Sequence, residues 1–147
     1  MLQELRDLTG ETSNLGILDG QDVFYVDFVQ SRHPFRMASR SGTLRPLYCT
    51  AMGKALVALS PATEKEPVLA SLRFERFTPR TITHLVQLKE ELVKTQKRGC
   101  AVDDEEATLG ARCVSTPIFL ECGKLVAAVS VSGPTARMAS RKIPLLC

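Results

Sequence analysis

Apolar residues recur along the chain in two rhythms, and the switches between them lay out the elements. Leu2, Leu5 and Leu8 fall at every third position with Gly10 behind them, which predicts a short amphipathic helix closed by a glycine stop. From Thr12 the period shortens. Residues 12–18 and 22–30 are β-prone runs around Asp19-Gly20, a dipeptide that tolerates positive φ, and together they predict a hairpin. A third strand is expected at Phe35 to Ala38, and SGTLRP after it reads as a loop because Gly42 and Pro46 break any regular pattern.

The helical rhythm returns in TAMGKALVAL, residues 50–59, with Thr50 as N-cap. Ser60-Pro61 ends that helix and starts another, which Pro67 is expected to limit. The longest helical signal is 83–98, where Leu85, Leu88 and Leu92 line one face and Gly99 stands at the stop. Strands follow at Cys100–Asp103, Arg112–Phe119 and Leu125–Ser132, the last two joined by a Gly-containing turn. Hairpins at both ends with helices between them predict an α+β domain on an antiparallel sheet, since a doubly wound parallel fold alternates more regularly.

At 147 residues the chain, 1–147, fits a single domain large enough to bury a core. Its longest near-apolar runs, 23–29 and 125–131, fall far short of the roughly 20 residues that cross a bilayer, so no membrane partner is expected. The start, MLQELRDLTGE, is charged where a signal peptide is apolar, which predicts a cytoplasmic protein. Five cysteines without a Cys-x-x-Cys spacing suggest reduced thiols. A net charge of +3, with basic residues scattered, lacks the footprint of a DNA-gripping domain.

Chemistry is sparse. The two histidines, His33 and His84, sit in no motif, and no nucleophile elbow, phosphate loop or His-Glu-x-x-His occurs, so an enzyme is not expected and no cofactor is implied. In DDEEATLGARC, 103–113, Asp104, Glu105 and Glu106 read as a solvated loop face, whereas Asp103 follows the apolar CAV and ends a strand at the sheet's rim. Alternation puts Cys113, Ser115 and Pro117 on one face of their strand, and Ser130 and Ser132 on one side of the last. Either the serines face solvent and Cys113 is a small buried hydrophobe, or Cys113, Ser130 and Ser132 line a concavity suited to a small polar ligand. Likewise, a helix starting near Thr50 aims unpaired amides at an anion, or Ala51 and Gly53 merely permit close packing. Lys54 is expected to be solvated or to snorkel.

Taken together, LTGET (8–12), PLYCTAMGKAL (46–56), GCAVDDEEATLGARCVSTPI (99–118) and VSVSGP (129–134) resemble the effector-binding domain of IclR-type bacterial transcription regulators, in order and spacing. The resemblance implies a GAF-like fold, a curved antiparallel sheet flanked by helices with a small-acid pocket on one face. It also implies an N-terminal winged helix-turn-helix, absent from this chain, through which alone operator DNA is bound. The domain would sense a small organic acid and control that module by rearranging a dimer or tetramer. Ligand-binding positions of the family fall on Ala51 and Met52, with Gly53 as neighbour, then on Asp103, Cys113, Ser130 and Ser132; by pattern alone Met52 reads as core. The hydroxyls and amides suit a carboxylate, and Asp103 suits a ligand hydroxyl. Phe35, Met37 and Leu44 are candidate wall residues. Two rivals stay open: zinc held by Asp103 and Cys113, and an oligomerisation module whose pocket is filled by side chains. In place of the family's C-terminal helix this sequence has SRKIPLLC, 140–147.

Overall fold

In the computed structural model, which describes residues 1–139 and residue 143, the chain runs α1 (Leu2–Thr9), β1 (Thr12–Asp19), β2 (Asp22–Val29) and β3 (Leu44–Pro46). A 3-10 turn at Leu47–Cys49 leads into α2 (Ala51–Leu59), α3 (Ala62–Ser71) and α4 (Leu85–Arg98), then β4 (Ala101–Asp104), β5 (Ala111–Phe119) and β6 (Leu125–Pro134). All the strands join one antiparallel sheet in the order β3-β2-β1-β6-β5-β4, so the first and last hairpins meet along β1 and β6.

Strand alternation gives the sheet two differently covered faces. On one, α2 packs over β4, β5 and β6 with α4 beside it, burying Val23, Met52, Leu56, Leu88, Ala101 and Ala128. On the other, Val102, Val114 and Val131 form a second apolar cluster with Leu5 of α1. Two glycines let α2 lie close. A Cβ on Gly53 would stand 2.3 Å from the Cα and carbonyl oxygen of Leu47, and one on Gly16 would meet Val23 at 2.8 Å and the Met52 sulfur at 3.1 Å. In β1 the register slips between Leu15, opposite Asp27, and Gly16, opposite Tyr25; this bulge turns Tyr25 toward the α2 side.

Several expectations need correction. Phe35 to Ala38 is not a strand; the third strand lies in the stretch read as loop. Thr12 ties the segment after β2 across the end of β1, accepting from the Ser31 amide at 3.1 Å and donating to the Met37 carbonyl at 3.1 Å. The backbone rejoins β2 only where the Gly42 amide donates to Tyr25 at 2.8 Å. Pro46 is tolerated because β3 is an edge strand. Pro67 does not end its helix, which continues to Ser71, because the missing N–H forfeits one bond while the flanking turns remain. Cys49, Cys113 and Cys122 are free thiols, but Cys100 is disulfide-bonded, against the expectation of reduced thiols throughout. Among the described residues no helix is long and apolar enough to cross a membrane. The expectation about the segment 140–147 lies outside the described residues, apart from Ile143, which packs on the second cluster.

Candidate functional site

The register assembles the polar row. Asp103 lies opposite Cys113, Cys113 opposite Ser132, and Ser132 opposite Thr12; two residues along, Ser115 lies opposite Ser130 and Ser130 opposite Asn14. Paired residues project to the same side of a sheet, so the small faces of β5 and β6 coincide. Over the first row opens a cavity of about 310 Å³. Thr50 at the start of α2 and Tyr25 on β2 bound it on one side, and Ala107 and Thr108 close another. The arch between β2 and β3 supplies Met37, Thr43 and Leu44, with Arg40 and Arg45 at the exposed rim.

Of the residues singled out in the sequence, Asp103, Cys113 and Ser132 line this cavity, together with Met37 and Leu44. Ala51, Met52, Gly53 and Ser130 are not among the lining residues, although Thr50, directly ahead of them, is. The Gly53 amide is engaged by the Thr50 hydroxyl at 3.2 Å, leaving the Ala51 and Met52 amides as the first of the helix without intrahelical acceptors. Met52 buries its side chain against Gly16. Ser130 sits beneath the cavity: the Asn14 amide donates to Ser130 and Ser132 at 3.1 Å each, while the Asn14 Oδ1 has no hydrogen-bond partner. Phe35 stands out in solvent, 74% exposed.

The acidic run is largely a latch. Asp103 is only 4% exposed, and its Oδ1 accepts from the amides of Glu106 at 2.8 Å and Ala107 at 3.4 Å. Glu106 turns inward and pairs with Lys54, whose side chain is fully buried on α2. Both residues were expected in solvent. The local turn reverses that, because Glu105 takes a φ of 64° and the hydroxyls of Thr78 and Thr81 hold the Glu105 and Glu106 carbonyls at 2.7 Å each. Asp104 and Glu105 stay nearer the surface, on Arg80 at 3.0 and 3.2 Å, and Asp104 also binds Arg112.

Burial, then the neighbouring Glu106, push the Asp103 carboxyl up from 3.8 to about 6, with Lys54 and the two amides opposing. Burial, then the neighbouring Asp103, also raises the Cys113 thiol, and burial raises the Tyr25 phenol, which Arg45 partly counters. Cys49 is pushed up to about 12 by burial and then Asp103. The inner wall thus presents neutral O–H and S–H groups and one acid poised near neutrality. Among the described residues no three His, Cys, Asp or Glu side chains are placed to hold a metal ion.

Sequence reasoning passed over Asn14, Tyr25, Arg40 and Arg45. The face Tyr25 presents depends on the bulge in β1, which no pattern announces. Both arginines lie in a stretch without periodicity, so only the fold brings them to the cavity.

A curled antiparallel sheet with helices on its faces and a polar cavity under one helix start is the GAF-like, α+β class of small-molecule-binding domain. The chain belongs to the family described as bacterial transcriptional regulator IclR C-terminal, which matches residues 1–147. It is 40% identical over 143 residues to the HTH-type transcriptional regulator BhcR of Paracoccus denitrificans (strain Pd 1222), covering 97% of this chain and 51% of that protein. The chain therefore spans about half the length of such curated relatives. It is similar to the crystallised C-terminal domain of Escherichia coli KdgR, at a TM-score of 0.85 and 34% identity, covering 97% of this chain and 82% of that one. It also shares its fold with the inducer-binding domain of PobR from Acinetobacter, solved as a double mutant in complex with 3-hydroxybenzoic acid, at 23% identity and a TM-score of 0.83, covering 97% of this chain and 83% of that one. Family members are transcriptional regulators.

Proposed function

We propose that this domain senses a small organic acid for a longer transcription regulator, without catalysing a reaction. Ligand entry changes how copies of the domain assemble, as a dimer or tetramer, and that sets the spacing of winged helix-turn-helix modules on operator DNA. DNA contact belongs to those modules, in the cytoplasm, and not to this domain. The observation that carries the reading is the cavity of about 310 Å³ over Asp103, Cys113 and Ser132, with polar side chains on its inner wall. The 3-hydroxybenzoic acid bound by the PobR domain supports a small acid as the class of ligand.

The Ser132 oxygen already accepts from Asn14, which frees its proton for a ligand oxygen. Tyr25, neutral and at the same cavity, is a second donor, and the leading amides of α2 bias the region toward an anion. Asp103, with its carboxyl raised to about 6, takes up a proton as the anion enters and becomes a donor itself. Both histidines are exposed and outside the cavity, so neither reaches Cys113 or the serines as a base.

A thermal-shift screen against small hydroxy and keto acids, repeated on Asp103→Ala and Ser132→Ala, tests this. The expected result is a melting shift with at least one acid that both variants lose. A folded, ligand-free protein that no acid stabilises sinks the proposal.

A further inference from the structure

Arg40 and Arg45 distinguish the rim of this cavity. The other arginines near it are occupied: Arg36 donates to the His33 carbonyl at 3.2 Å, Arg80 and Arg112 pair with Asp104, and Arg137 pairs with Glu11. Arg40 and Arg45 enter no ion pair and no side-chain hydrogen bond among the described residues. Two like charges therefore flank one opening with no counter-ion. The acid nearest them on the cavity wall is Asp103, already engaged by two amides deep inside. Guanidinium groups placed this way match a carboxylate in geometry as well as in charge.

The inner wall offers a separate set of donors, Ser132, Tyr25 and the protonated form of Asp103, able to hold one acid group. At roughly 30 Å³ per water, 310 Å³ has room for about ten non-hydrogen atoms, enough to reach from that wall to the rim. From these unpaired rim charges we infer that the ligand carries two acid groups, one seated on the inner donors and the other held at the rim by Arg40 and Arg45. This rests on the acid-sensing reading and narrows it to dicarboxylic acids.

The test is isothermal titration of the chain, whose KdgR counterpart was crystallised as an isolated domain, with acid pairs differing by one carboxylate: glycolate and tartronate, lactate and malate, 3-hydroxybutyrate and 3-hydroxyglutarate. At least one diacid binds roughly ten-fold more tightly than its partner. That gap disappears in the Arg40→Gln, Arg45→Gln double variant, which weakens each diacid by more than it weakens the matching monoacid. Both side chains are exposed, and circular dichroism verifies the variant's fold. Monoacids that bind as tightly as their diacids overturn this inference and leave acid sensing standing, as does a gap that survives in the double variant. Failure of every acid to bind the folded chain overturns both.

Discussion

Replacing Lys54 by Met removes a charge and keeps most of the volume, so the cost isolates what the charge does. Lys54 is fully buried, and Glu106 keeps about a tenth of its side chain exposed. Its Oε2 has no hydrogen-bond partner, and burial already raises its carboxyl despite Lys54. Without Lys54 the carboxylate has no compensating charge, and the cheapest escape is to bind a proton. Holding a carboxyl of ordinary value 4.5 neutral at pH 7.5 costs about 4 kcal/mol, at 1.36 kcal/mol per pH unit. That agrees with the roughly 3–5 kcal/mol typical of breaking a buried pair from one side.

The pH dependence follows. The variant's fold binds a proton that its unfolded chain releases above 4.5, so the penalty is absent at low pH and grows as pH rises, reaching only about 1.4 kcal/mol at pH 5.5. Asp103 loses the same cation, which steepens the slope. The Lys54→Met, Glu106→Leu double variant strands no charge and is expected within about 2 kcal/mol of wild type at pH 7.5. Urea unfolding followed by circular dichroism at the two pH values measures all of this. A single variant within about 1 kcal/mol of wild type at pH 7.5, or a double variant as damaged as the single, refutes the reasoning.

Affinity for an anionic acid is expected to rise as pH falls from 8 toward 6, because the ligand raises an Asp103 carboxyl already at about 6 and binding takes up a proton; titration at several pH values checks this, and Asp103→Asn should flatten the profile. In the empty domain the same carboxyl, raised from 3.8 to about 6, costs about 3 kcal/mol above pH 6 that is absent below 3.8, so Asp103→Asn should stabilise the fold at pH 7 but not at pH 4 in urea unfolding. Gly53→Ala forces a Cβ against the Leu47 backbone at 2.3 Å and should lower stability by about 3 kcal/mol, or a melting temperature by about 6–12 °C. Asn14→Leu leaves the buried Ser130 and Ser132 hydroxyls without their donor and should cost about 1–3 kcal/mol, with weaker acid binding in the same thermal-shift assay.

What the sequence makes legible is whatever depends on neighbours in the chain. The Asp19-Gly20 turn, the helix stop at Gly99 and the alternation in β5 and β6 are local features, and each lies where it was expected. Alternation also limits Cys113, Ser130 and Ser132 to one face apiece, and the register alone was needed to join them. Lys54 and Glu106 were misread because both readings rested on residue type, charged and therefore wet, while the outcome depends on a pairing 52 residues apart in sequence. Phe35 to Ala38 was misread for a related reason: its apolar residues suit a strand, but the hydroxyl of Thr12, 25 positions away from Met37, diverts the chain into an arch. Without that arch Arg40 and Arg45 have no cavity to border.

The acidic run explains how a site and a scaffold share four consecutive residues. Asp103 can face a ligand only if its neighbours turn sharply away, and the left-handed φ of Glu105 makes that turn. The turn brings Glu106 inward, so a buried lysine is required to balance it, and the Lys54 position on α2 sets where the helix start lies relative to the row on the sheet. Burial, then Glu106, raise the Asp103 carboxyl, and the repulsion behind that second effect acts on both carboxylates. Any event that protonates Asp103 therefore relieves Glu106 and strengthens the grip of the loop on α2. On the proposed acid-sensing function an anionic ligand is such an event, and its entry would tighten the contact between β4 and α2 without touching Lys54, a route from pocket occupancy to a change in how α2 and the sheet sit on each other.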